Sequence, residues 1–158
     1  MPMTRSEIRA AIQSLFAVFD EEADAPTRER DLRLALDRLA LASHFGEVEF
    51  DPNAPSPDDV PSTPYEELSE RLGQRFPGLG YYSMALDSTD LTPATPGVGD
   101  AIDDLVDIAR DLEEVLLRWE VSEVDALWHF RLFFESHWGQ HLRALQLHLH
   151  ERAFGSTS

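Results

Sequence analysis

Between Asp100 and Phe154 the apolar side chains recur every three or four residues, and this period constrains the fold more than any other feature of the chain. They run first as Ile102, Leu105, Val106, Ala109, Leu112, Leu116 and Trp119, then as Leu127, Phe130, Phe134, Trp138, Leu145 and Leu149. Each residue of an α-helix turns about 100° around the axis, so each set forms one stripe. Two stripes joined by a few residues bury themselves by packing antiparallel. The first helix is capped by Asp100 and runs to about Trp119. The second starts near Ser122 and runs to about Phe154, with Gly139 marking a close backbone approach or a kink. This last helix is expected at the centre of the fold. Asp103, Asp104, Asp107, Asp111 and Glu114 are read as the side of their helix opposite its apolar face.

Upstream, Thr4 and Glu7 have capping-box spacing and open a helix whose face is Ile8, Ile12, Leu15, Phe16 and Phe19. A second helix opens at Pro26-Thr27 and reaches about Phe45, with Leu32, Leu36, Leu39 and Ala40 inward and Arg28, Arg30, Asp31, Arg33 and Asp37 mostly outward. Residues 46–62 hold four prolines and five acids, composition suited to a solvated strap rather than a packed element. Thr63-Pro64-Tyr65-Glu66 predicts a third helix start with its own capping box, ended by Pro77-Gly78. The aromatic segment Leu79 to Asp87 reads as extended or a short helical turn, because no partner strand is evident. A Thr/Pro/Gly loop follows over 87–99. The expectation is an all-α, single-domain bundle of about five helices spanning 1–158, with an acidic Pro-rich loop at 46–62 and a second loop at 87–99.

The formal net charge is −17, from 13 arginines, no lysine and 30 acids. Nucleic acid and anionic membranes are poor partners for such a surface, since both reward neutralising cations. Lysine-free basicity fits GC-rich codon usage, and salt adaptation is the rival explanation. With no cysteine, thiolate metal sites, disulfides and cysteine nucleophiles are excluded. The absence of an 18-residue apolar run argues against a membrane span, and a cytoplasmic location is expected. Charge is unevenly spread: residues 100–125 carry ten acids and two arginines, whereas five of the six histidines lie beyond residue 126.

His137 and His141 are four residues apart on the edge of the last stripe, a spacing that lets two imidazoles share one metal ion. The segment lacks the H-E-x-x-H pattern, so a carboxylate such as Glu135 or Asp111 would have to complete the site. The bland reading makes these histidines half-buried hydrogen-bonders along a helix seam. A proton-linked switch is a third use for them. Ser136 points about 100° away from His137 and cannot pair with it as a nucleophile. No nucleophile elbow, phosphate loop or dinucleotide fingerprint is present. Trp128 and Leu132 fall off the stripe's centre-line, so this flank is either covered inside the fold or meets a partner.

The segments Asp107-Ile108-Ala109-Arg110-Asp111-Leu112, Ala126-Leu127-Trp128-His129-Phe130-Arg131 and Phe134-Glu135-Ser136-His137-Trp138-Gly139-Gln140-His141 together resemble a bacterial family catalogued as domain of unknown function 5063. The resemblance covers about residues 100–150, and Tyr81-Tyr82 to Asp87 is similar to an aromatic segment upstream. It implies a bacterial helical domain whose signature region includes Asp107, Arg110, Asp111, Trp128, Phe134, Glu135, His137, Trp138, Gly139 and His141, without a catalytic role for any of them. Ala109 stands where the family usually has an aromatic, so a contact centred there is altered. The expected function is a non-catalytic protein-interaction or regulatory module, with a protein partner or self-association. The alternative is a metal-binding protein or metal-dependent enzyme built on His137 and His141. No cofactor is expected apart from such a divalent metal.

Overall fold

Thr4 closes the first helix as its sequence dictates: its hydroxyl accepts from the Glu7 amide, the Glu7 carboxylate accepts back, and α1 runs Arg5–Asp20. A computed structural model describes residues 2–92 and 95–155. Asp24 caps α2 (Ala25–Ala42), and α3 covers Tyr65–Arg75. Asp100, accepting from the amides of Ile102 and Asp103, starts α4 (Ala101–Trp119). After a two-residue corner, Ser122 caps α5 (Glu123–Phe133), which passes through a π turn (Phe134–Trp138) into α6 (Gly139–Phe154). The backbone stays helical through the π turn, so α5 and α6 form one rod and the described residues make five helical rods. No helix among the described residues is long and apolar enough to cross a membrane.

The central position belongs to α4, not to the last helix. It packs on α1, α3, α5, the π turn and α6, and buries Leu105, Val106, Ile108, Ala109, Leu112 and Val115 completely. An amphipathic helix with neighbours on several sides needs a wide apolar arc, and these residues span it. The antiparallel pairing of α4 with the last rod is as expected: Arg118 meets Asp125, Asp111 meets His137, and Asp104 meets His141. Helices α1 and α2 pack together on one side, and α2 also meets α6.

Three local expectations are corrected. Thr63 does not cap α3 through Glu66; its amide and hydroxyl are taken by the Glu113 carboxylate of α4 at 2.9 and 2.8 Å. Arg28 is buried rather than outward, because its guanidinium donates to the Arg75 carbonyl at 2.6 Å and to that of Ala23. The aromatic segment is a strand, β1 (Tyr81–Met84), paired antiparallel with β2 (Gly97–Asp100) in the register Tyr82 to Gly99. The expected loop 87–99 therefore stops short at its C-terminal end, and Pro93 and Ala94 within it lie outside the described residues. Pairing with a strand more than ten residues downstream supplied the partner that local pattern could not show.

The 46–62 segment is a strap as expected. Phe50 lies on Trp128 with ring centroids 5.0 Å apart, Ser56 bridges to Arg118 and Asp125, and Ser62 accepts from Arg110. Trp128 is thereby half-buried inside the fold, leaving Leu132 at its edge exposed.

Candidate metal centre

The π turn decides where the histidines of the last rod point. At about 100° per residue, the buried face of α5 (Ala126, Leu127, Phe130) and that of α6 (Leu142, Leu145, Leu149) would be out of phase by roughly 80° in an unbroken α-helix. A π turn takes up one extra residue and rotates the downstream helix by about that amount. Both faces then meet one core, and His137 and His141 swing onto the α4 side. Gly139 closes the turn: a Cβ there would collide with the Phe134 carbonyl oxygen and ring. The close backbone is thus the turn's own, not that of a crossing helix.

On α4, Asp104, Asp107 and Asp111 succeed one another at spacings of three and four and form a flank of the helix. The sequence pattern alone sets this flank opposite the apolar face. Instead it borders the wide buried arc and faces the last rod, where Asp104 itself is buried. There the imidazoles stand edge to face, centroids 4.9 Å apart. Asp107 Oδ2 lies 3.3 Å from His141 Nε2 and 4.0 Å from His137 Nε2. One ligand atom from each of Asp107, His137 and His141 lies within 4.8 Å of the other two. The opposite nitrogens are tied back: His137 Nδ1 to Asp111 Oδ2 and His141 Nδ1 to Asp104 Oδ1, both at 2.7 Å. A carboxylate can only accept, so each Nδ1 donates to its aspartate, and Nε2 is the nitrogen on the Asp107 side that a metal ion would take in exchange for its proton.

These contacts set the electrostatics of the cluster. Asp104 at Nδ1, reinforced by Asp107, raises the His141 pKa above its ordinary 6.5 against the opposing effect of burial. Burial pushes the Asp107 and Asp111 carboxyls up, outweighing the nearby imidazoles that pull them down. The second Asp104 oxygen accepts from the Tyr82 hydroxyl, and burial together with that bond raises the Tyr82 pKa well above its ordinary value.

Of the residues singled out in the sequence, the structure gathers His137, His141, Asp107 and Asp111. Glu135 lies apart, on the exposed side, where it pairs with Arg131 at 2.6 Å. Trp138 is completely buried against Phe130 and Phe134, which makes it core rather than contact surface. Arg110 anchors the strap through Ser62. Sequence reasoning set Asp104, with Asp107 and Asp111, on the side of α4 facing away from the histidines, and missed Tyr82 as a member of the cluster. The spacing Asp104, Asp107, Asp111 on one flank was the available signal.

A family model described as a domain of unknown function, DUF5063, matches residues 31–154. The chain belongs to this family. The match takes in every residue of the DUF5063 cluster, from Tyr82 to His141. No curated protein matches this DUF5063 chain. The crystal structure of protein BF1032 from Bacteroides fragilis is similar, with a TM-score of 0.67 at 18% identity, covering 98% of this chain and 90% of that one. At that identity the likeness concerns the DUF5063 fold alone.

Proposed function

We propose that the domain binds a divalent metal ion through Asp107, His137 and His141. The observation that carries this reading is the convergence of three ligand atoms whose two imidazoles are each held from behind by a separate carboxylate. Ligands about 2.1 Å from a zinc ion stand about 3.4 Å apart in a tetrahedron, which the 3.3 Å between Asp107 and His141 already matches. Ligating histidines that donate their far N–H to a carboxylate are the usual outer arrangement of metal sites, and it supports tautomer, ring orientation and ligand basicity together. The His137 side chain is 45% exposed, so the cluster is open to solvent and a bound ion would be reachable by water or substrate. Three protein ligands with open positions suit zinc, or iron or manganese in a two-histidine, one-carboxylate facial set. The open positions would let the ion act as a Lewis acid on a bound water or substrate oxygen.

The test is elemental analysis of untagged protein by inductively coupled plasma mass spectrometry, beside Asp107→Ala and His137→Ala/His141→Ala. Near-stoichiometric metal in the wild type, lost in both variants, is the expected result. Wild type that stays metal-free after incubation with zinc, iron(II) and manganese(II) returns the histidines to a packing role.

A second reading keeps the interaction module. Its support is a groove between α2 and α6 in which Leu34, Leu147 and Phe154 stand at 49, 61 and 68% exposure, rimmed by Arg33, Asp37 and His150. The covered flank at Trp128 no longer supports it. Analytical ultracentrifugation separates the outcomes: a concentration-dependent dimer abolished by Leu147→Glu supports self-association, and a monomer at all concentrations removes it.

A further inference from the structure

The geometry points to the β1–β2 hairpin as a positioning element of the metal centre, acting through Tyr82 and Asp104 on His141; this inference rests on the metal reading above. Among the described strand residues it is Tyr82 whose side chain hydrogen-bonds into the cluster, and its ring is held by His148 and Gly99. On one side it stacks on the His148 imidazole, centroids 4.6 Å apart and planes 20° from parallel, with His148 Nε2 donating to the Leu79 carbonyl at 2.8 Å. Gly99, its cross-strand partner, also lies against the ring, and any Cβ there would occupy the ring's space. Only glycine leaves the slot that Tyr82 fills. Held this way, the hydroxyl donates to Asp104 Oδ2, while Asp104 Oδ1 accepts from His141 Nδ1.

Asp104 is buried and makes no other side-chain hydrogen bond among the described residues, so these two donors fix its plane. That plane sets the azimuth of the His141 ring and the direction of its Nε2 lone pair. The hairpin is otherwise lightly attached: Tyr81 and Val98 are exposed, as are residues 85–92 and 95–96 between the strands. A device that orients a ligand must itself be ordered by the ligand's bond to metal, because the coupling is reciprocal. Metal binding therefore tightens the hairpin, and loosening the hairpin weakens the metal.

The experiment titrates cobalt(II) into the full chain and follows the visible d–d absorption, with zinc(II) competition for affinity, in wild type, Tyr82→Phe and Asp104→Asn. Tyr82→Phe keeps the clamped ring and removes one hydroxyl, so circular dichroism should show an unchanged fold. The expected result is a loss of affinity of about tenfold or more, the scale typical of outer-shell changes, with an altered cobalt spectrum. Hydrogen exchange at residues 81–84 and 97–100 should slow on zinc binding in the wild type and respond weakly in Tyr82→Phe. Wild-type affinity and spectrum in Tyr82→Phe would overturn the positioning role, as would zinc binding that leaves hairpin exchange unchanged. Wild type that binds neither ion fails the metal reading itself, and cobalt binding that survives His137→Ala/His141→Ala places the ion elsewhere; each outcome overturns this inference with it.

Discussion

Gly139 shows how one residue can be set by opposing effects. Alanine in a helix interior is favoured over glycine by about 1 kcal/mol, but a Cβ here would strike the Phe134 carbonyl and ring. Overpacking of this kind costs about 1–3 kcal/mol, and the obstacle is backbone rather than a flexible tip. Gly139→Ala should therefore destabilise the protein in urea unfolding despite its better propensity; a neutral or stabilised variant would mean that the turn relaxes. His141 offers a second residue-scale test. It faces Asp103, Asp104 and Asp107 of α4 and His137 of its own rod, and its folded pKa is raised. Its contribution to metal-free stability is complete below its ordinary 6.5 and is lost as pH rises through the raised value. The raised Asp107 and Asp111 carboxyls act in the same direction at lower pH. Metal affinity runs the opposite way, since the ion needs an unprotonated Nε2. The thermal shift on adding zinc should therefore grow between about pH 6 and about pH 8; a shift that shrinks over that range would contradict the assignment of His141 as a ligand.

At the scale of elements, the strap is the piece whose role is most open to measurement. Phe50 is 64% exposed, yet its ring covers Trp128. Phe50→Ala should cost on the order of 1 kcal/mol, the scale of one aromatic pair with partial burial, and should raise the accessibility of Trp128 to acrylamide quenching. Unchanged quenching would mean that the hydrogen bonds of Ser56, Ser62 and Thr63 hold the strap alone. The long helices were legible because their signals are local: the capping box at Thr4 and Glu7, the cap at Asp100, and apolar residues at helical spacing. The hairpin was not, because β1 has no meaning until β2 is beside it. Nor was the π turn, which answers to the mismatch between two buried faces rather than to any residue type. The misplaced Asp104, Asp107 and Asp111 share one cause with both: a flank of α4 acquires its meaning from the helix that packs on it.

The molecule as a whole carries a formal charge of −17, and much of it lies on α4 and the strap that crosses it. Like charges held close oppose the compact state, and salt screens them with a Debye length of about 10 Å at 0.1 M. The thermal midpoint of the metal-free protein should rise with sodium chloride, most steeply below that concentration, and the rise should flatten once zinc neutralises the cluster. A saturating ion adds linkage of its own, about 2.7 kcal/mol at a free concentration one hundred times its dissociation constant. Helix-on-helix architecture was readable from the period of the last two helices alone. Which helix stands in the middle was not, because that depends on how many neighbours each can accept, and only the packed assembly assigns them.

The π turn also makes the cluster a matter of counting. Deleting a single residue between Phe134 and Trp138 would restore an ordinary helix and shift every later side chain by one position. The α6 leucines and His141 ride on one helix, so they could stay in place only if Ala126, Leu127 and Phe130 of α5 left the core, or α5 could stay only if the leucines left the core and His141 left Asp107. Core and cluster share one reading frame, so a change in length there cannot spare both, whereas substitutions on the exposed side of the same turn can.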